Sequence, residues 1–145
     1  MAAKGASQAR PSPEVVSILR NRRLRHDYEV AKTFEAGLVL AGSEVKSLRN
    51  GDVQWGDAHG RMDRQGELWL YGLHIGEYRN AGVFNHQPGQ RRKLLLQRRE
   101  LDHIAGALNA KGMSLVPEEI LFRKGWAKIV VALAKGRPKG DKRAV

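Results

Sequence analysis

The chain contains no cysteine, which excludes disulfides, thiolate metal centres and a cysteine nucleophile. No apolar run approaches the length of a bilayer span. The N-terminus, Met1 to Arg10, lacks the apolar core of a signal peptide, so a cytoplasmic chain with no membrane partner is expected. The histidines His26, His59, His74, His86 and His103 do not pair at metal-ligand spacing, and His-Glu-x-x-His is absent. No metal and no cofactor are expected. Gly37 and Gly42 have the glycine spacing of a phosphate loop, but Ser43 stands where lysine is required. No Gly-x-Ser-x-Gly elbow exists. The acid pairs Glu100 with Asp102 and Glu118 with Glu119 read as a solvated helix face and a strand edge. No catalytic constellation remains, and a protein that is not an enzyme is expected.

Acid is the scarce charge. Lys plus Arg number 26 against 15 Asp plus Glu, a formal net charge of +11 and a pI near 10.4. Such an excess points to a polyanionic partner, nucleic acid above all. The basic residues fall into three groups: Arg20 to Arg25; Arg91, Arg92, Lys93, Arg98 and Arg99; and Lys135 to Arg143. Aromatics Tyr28, Trp55, Trp69 and Trp126 lie between them, which fits phosphate contact combined with base stacking. Core packing is the simpler role for at least two of the three tryptophans. His26, set among Arg22, Arg23, Arg25 and Tyr28, could stack on a base or bond a phosphate.

At 145 residues one domain is expected. Residues 1–11 are small, polar and basic and read as disordered. Ser12-Pro13-Glu14 reads as a helix start, with Val15, Ile18 and Leu19 at helical spacing behind it. Tyr28 to Leu40 reads as a long strand, and Ser43 as the N-cap of a short helix through Arg49. Trp55 to Met62 and Glu67 to Leu73 read as strands around an Asp63–Gly66 hairpin loop. Residues 76–90 read as loop, and Lys93 to Leu96 as a buried strand. Gln97 to Lys111 has the apolar stripe Leu101, Ile104, Ala105 and Leu108 of an amphipathic helix, capped by Gly112. Ser114 to Phe122 is a strand that bulges at Pro117 or lies at an edge. Trp126 to Leu133 is a further strand, and the glycine-rich basic stretch after Ala134 cannot fold alone. Residues 12–134 are thus the folded domain and 135–145 the start of a tail. The elements give a mainly β chain of about six strands with about three flanking helices.

The most informative stretch is Phe34-Glu-Ala-Gly-Leu-Val-Leu-Ala-Gly-Ser-Glu-Val-Lys-Ser-Leu-Arg49. Its polar set, Glu35, Glu44, Lys46, Ser47 and Arg49, is richer than packing requires and reads as a recognition surface. Upstream stands Asn21-Arg-Arg-Leu-Arg-His-Asp-Tyr28. Downstream come Arg92-Lys-Leu-Leu-Leu-x-x-x-Glu-Leu101, Trp126-Ala-Lys128, Ala134-Lys-Gly136 and Asp141-Lys-Arg143. In this order and at these separations the motifs resemble the SsrA-binding protein (small protein B) family, from Asn21 to Arg143.

The resemblance implies an oligonucleotide-binding-type closed antiparallel barrel with helices outside it. It also implies binding to the tRNA-like domain of transfer-messenger RNA and delivery of that RNA to stalled ribosomes for trans-translation. Through the RNA it implies alanyl-tRNA synthetase and elongation factor Tu as indirect partners. Glu35, Leu95 and Lys128 stand at positions implicated in RNA binding within the family. Leu95 could equally be core, since alternation should bury either Leu95 or its two neighbours. Arg22, Arg23, Arg25, His26, Lys46, Arg49, Lys93 and Lys135 complete the expected RNA-binding set. Lys139, Asp141, Lys142 and Arg143 would open a tail that engages the decoding region of the ribosome. Family members continue past Asp-Lys-Arg with a long basic tail, whereas this sequence gives two residues after Arg143, and Gly140 replaces a frequent histidine or aromatic. Loss of most tail-dependent function is therefore expected. The rival readings are a generic single-strand RNA-binding barrel and a ribosome-associated structural protein. Preference for a folded tRNA-like domain, and release from ribosomal subunits, would separate the adaptor from each.

Overall fold

A computed structural model describes residues 14–138 of the chain. Its frame is a ribbon of three long strands. They are β2 (Tyr28–Leu38), β8 (Met113–Arg123) and β9 (Trp126–Gly136), with β9 hydrogen-bonded to β8 on one side and β2 on the other. A tight turn at Lys124 and Gly125, both at positive φ, joins β8 to β9. The shorter strands β4 (His59–Met62), β5 (Leu68–Tyr71) and β7 (Arg92–Leu95) bridge the remaining gap. The hydrogen-bonded order β8-β4-β5-β7-β2-β9 returns to β8, so six strands close a ring. Every pairing is antiparallel. Closure leaves the ring itself without an open edge, the usual solution for a small β protein. β3 (Val53–Gln54) and β6 (His74–Ile75) pair separately.

The expected mainly β barrel is the observed fold. Inside it pack Phe34, Ala36, Leu68, Leu70, Leu94, Leu115, Ile120, Ile129, Val131 and Leu133. On β2, β5 and β9 they recur at every second position, as inward-facing residues must, and on β8 the bulge after Pro117 shifts the alternation between Leu115 and Ile120. Helix α3 (Arg98–Leu108) lays Leu101 and Ile104 on this core, and the backbone N–H of Gln97 donates to the Glu100 carboxylate at its start. The expected hairpin loop is present, with Asp63 N–H donating to Glu67 O at 2.8 Å. At Pro117 the β8–β9 register shifts before Glu119, so the strand bulges within the sheet.

Three local expectations are corrected. Val15 to Ile18 do not open a helix: Val15–Arg20 is β1, paired antiparallel with β8. The unpaired outer edge of β8, next to β-branched Val15 and Val16, outweighs a local helix-start signal. A single short helix, α1 (Leu24–Asp27), follows instead. Ser43 is not an N-cap but lies buried inside α2 (Gly42–Arg49), whose cap position is Ala41. Trp55 to Ala58 is a turn, closed by Ala58 N–H on Trp55 O at 3.0 Å. Gly56 there has φ +56, and a Cβ would come within 2.7 Å of Gly72 O. Ser12, Pro13, the segment 1–11 and the tail residues Lys139, Asp141, Lys142 and Arg143 lie outside the described residues.

Candidate nucleic-acid interface

Gly37 is the centre of the site. Its cross-strand partners are Leu95 of β7 on one side and Lys128 of β9 on the other. Paired residues on neighbouring strands point to the same face, and so does Glu35, two residues back along β2. Glu35, Leu95 and Lys128 therefore meet around one shallow depression of about 450 Å³, floored by Gly37. The bare glycine allows Leu95 to lie close across it; a Cβ there would sit 3.4 Å from the Leu95 Cβ. Leu95 is 53% exposed while Leu94 is buried. Alternation is thus resolved in favour of an outward Leu95, and the core leucine is its neighbour.

Arg123 holds the Glu35 carboxylate in a fork, with Nε and Nη2 donating at 2.9 and 2.8 Å. The hydrogen bond to Glu35 raises the Arg123 pKa above its already high ordinary value. Such a two-point clamp fixes the carboxylate plane, which a single lysine contact would not. Beside it runs an apolar groove of about 470 Å³ lined by Val39, Val45, Leu95 and Trp126, with Lys128 at its rim. Val39 and Trp126 are exposed, Trp126 by 73%. Sequence reasoning missed Arg123 and Val39. Of the three tryptophans weighed between stacking and core packing, Trp126 is the exposed one; it lies two residues from Lys128 and so shares its strand face. Trp55 packs against the core. Trp69 is half-buried, with its indole N–H on Asp63 and the Arg91 guanidinium 3.8 Å over its ring.

The other expected RNA-binding residues do not join this depression. Tyr28 pairs with Gly136 and Glu29 with Lys135, which puts Arg22, Arg23, Arg25, His26 and Lys135 at the far end of the β2–β9 ribbon. From Tyr28 to Gly37 is about 30 Å of extended strand. At that end His26 Nδ1 lies 2.9 Å from an Asp27 carboxylate oxygen, and Arg25 reaches Glu118 at 3.3 Å. Arg137 N–H donates to Asp27 O and its guanidinium to Arg25 O, so the chain leaves β9 beside this cluster. Lys46 and Arg49 project from α2, against the rings of Tyr78 and Phe122. Lys93 is tied to Glu67 at 2.7 Å.

A family profile described as SmpB protein matches residues 18–145. The chain belongs to the SmpB protein family. It is 48% identical over 143 residues to the SsrA-binding protein of Anaeromyxobacter sp. (strain K), covering 99% of this chain and 86% of that one. It is 47% identical over 126 residues to the SsrA-binding protein of Oceanobacillus iheyensis, covering 87% and 81%. A solved chain from "tmRNA-SmpB: a journey to the center of the bacterial ribosome" superimposes with a TM-score of 0.70 at 42% identity, over 88% of this chain and 93% of that one.

In this SmpB-family chain the expected recognition set of α2 divides. Glu44 and Ser47 are not on the surface: both are 1% exposed. Glu44 accepts the Arg92 guanidinium at 2.6–2.7 Å, Gln90 at 3.3 Å and the Ala41 N–H at 2.9 Å. Arg92 also donates to Leu73 O and Pro88 O. A buried pair this fully bonded belongs to the frame. Lys46 and Arg49 alone of the α2 set are exposed.

Proposed function

We propose that this chain binds transfer-messenger RNA through its tRNA-like domain and carries it to stalled ribosomes in trans-translation. The observation that carries this reading is the meeting of Glu35, Leu95 and Lys128, from three strands, around the floor at Gly37. A clamped carboxylate can accept from a base edge or ribose hydroxyl, an ammonium can meet a phosphate, and Leu95 with Trp126 can cover a sugar or base. Family membership and the relatives' description as SsrA-binding support the same reading. The work is binding and delivery rather than catalysis, it takes place in the cytoplasm, and residues 12–134 are the RNA-binding domain. The far cluster, Arg22 to His26 with Lys135, lies where the chain runs on towards Lys139–Arg143, and it is the end that faces the decoding region.

The test is a titration of the folded tRNA-like domain and of an unstructured oligonucleotide of equal length across salt concentrations. A shape reader prefers the folded domain strongly, and the logarithm of its binding constant falls linearly with the logarithm of salt. Equal affinity for both RNAs would assign the chain to the generic single-strand binders. Permanent residence on ribosomal subunits would make it a structural ribosomal protein.

A further inference from the structure

Among the described residues, the exposed large apolar side chains fall into three sets. Val15 and Val16 belong to β1, while Val39, Leu95 and Trp126 belong to the groove. Val83 and Phe84 belong to neither, and they are the most exposed of all, at 92% and 86%. They end the 3-10 turn Arg79–Phe84, at the tip of the loop between β6 and β7.

The loop is built to hold them there. Asn85 closes its neck: its side-chain oxygen accepts Tyr78 N–H at 2.9 Å and its amide donates to Tyr78 O at 2.7 Å. The next residue, His86, is buried, with Nδ1 2.8 Å from Ser43 Oγ and Nε2 2.9 Å from Ile75 O. Arg92 then fixes Pro88 O. The loop is thus pinned at Asn85, His86 and Pro88, yet the aromatic ring just before these points stays unburied.

We propose that Phe84 is a stacking platform for an unpaired nucleobase of the same RNA that occupies the Glu35–Leu95–Lys128 depression; the inference rests on that reading. Val83 and Phe84 alone offer too little apolar area for a stable protein interface, which covers roughly 800 Å² on each partner. A flat exposed ring on a loop that also carries cations is the chemistry of base stacking. Arg79 is exposed in the same turn, and Lys46 Nζ lies 5.4 Å from the Tyr78 ring at its start. The net charge of +11 favours a polyanion. Continuity assigns the RNA. Val45 lines the apolar groove and Lys46, the next residue of α2, meets the loop, so one short helix separates the two surfaces.

The experiment measures affinity for the folded tRNA-like domain in the full chain and in Phe84→Ala, Phe84→Leu, Phe84→Trp, Asn85→Ala and Lys128→Ala, with thermal melts alongside. Phe84→Ala and Phe84→Leu each weaken binding on the order of ten-fold, the cost of one lost stack, and Phe84→Trp retains it. Asn85→Ala weakens binding with the ring intact, because the ring is no longer held. Melting temperatures of the Phe84 variants do not move. Unchanged affinity in Phe84→Ala overturns the proposal, and so does wild-type affinity in Phe84→Leu, which would mark a greasy contact rather than a stack. A loss at Lys128 without one at Phe84 sinks only the stacking loop; a loss at Phe84 without one at Lys128 sinks the depression instead. An unaltered chain that fails to bind the domain overturns both.

Discussion

Two arginine–glutamate pairs stand in one barrel, and their surroundings differ. Arg92 and Glu44 are each 1% exposed, and their remaining polar atoms meet backbone carbonyls, Gln90 and a backbone N–H. Arg123 and Glu35 are 39% and 33% exposed and bond chiefly to each other. A buried pair cannot exchange partners without leaving a charge in a dry interior, so it fixes α2 and the β6–β7 loop to the barrel. An exposed pair is cheap to break and can hand its carboxylate to an incoming ligand. The same chemistry is frame in one place and recognition in the other, and solvent access decides which.

The strongest way to break this contrast is Arg92→Ala. It leaves Glu44 charged, buried and short of its main partner, and should destabilise the fold by about 3–5 kcal/mol. Arg123→Ala should leave the urea midpoint where it was. Similar midpoints for the two variants would mean that burial does not separate the pairs.

The second prediction turns on sign. Glu35→Ala frees Arg123 and adds one positive charge at the RNA-binding face. If affinity came from net charge alone, the RNA would bind more tightly. If the clamped carboxylate is itself a contact, binding weakens by roughly 1–3 kcal/mol, as it does for Lys128→Ala, while melting temperature holds. Filter-binding or calorimetric titrations of both variants at one salt concentration decide it, and tighter binding by Glu35→Ala removes that residue from the site.

Much of this contrast was hidden in the sequence, for a physical reason. Patterns with a local cause could be read directly. The stripe Leu101, Ile104 and Leu108 makes α3, Pro117 breaks the ladder into a bulge, and Asp63 to Gly66 turns a hairpin. The positions Glu35, Leu95 and Lys128 could be nominated from motifs, but not their meeting, which depends on strand register across β7, β2 and β9. Glu44 looked like a surface residue because its partner lies 48 positions away. Arg123 was overlooked because it reaches Glu35 across 88 positions. β1 was misread because its pairing partner is the distant edge of β8.

A milder test concerns Leu95, which the ring architecture turns outward. Leu95→Ala removes no core packing, since Leu94 fills that place. Its effect on unfolding should fall well below the 2–5 kcal/mol of a core leucine. RNA affinity should drop by about 1 kcal/mol, the order of a lost apolar contact. Leu94→Ala is the control and should do the reverse, unfolding readily. If Leu95→Ala melts like Leu94→Ala, the outward face of β7 is not a binding surface.

The smallest expected effect concerns a third carboxylate, held by N–H groups instead of a guanidinium. Asp63 accepts the backbone N–H of Glu67 at 2.8 Å, the Trp69 indole at 2.9 Å and the Gln65 N–H at 2.9 Å. The Glu67 bond first, then the Trp69 bond, hold its pKa below the usual carboxylate range. A carboxylate with a lowered folded pKa contributes stability above its unfolded pKa, about 3.9, and loses that contribution as pH falls through the folded value. Asp63→Asn keeps the shape and removes the charge. Urea midpoints of this variant should lie slightly below those of the unaltered chain at neutral pH. The gap should stay constant down to about pH 4 and close below it, as protonation makes the two side chains alike. Other carboxylates titrate in the same range, so the difference between the two chains is the quantity to follow. A gap that persists to the lowest pH would show that Asp63 acts through the hydrogen bonds its two oxygens accept and not through its charge, and that only the guanidinium-bound carboxylates hold their places by charge.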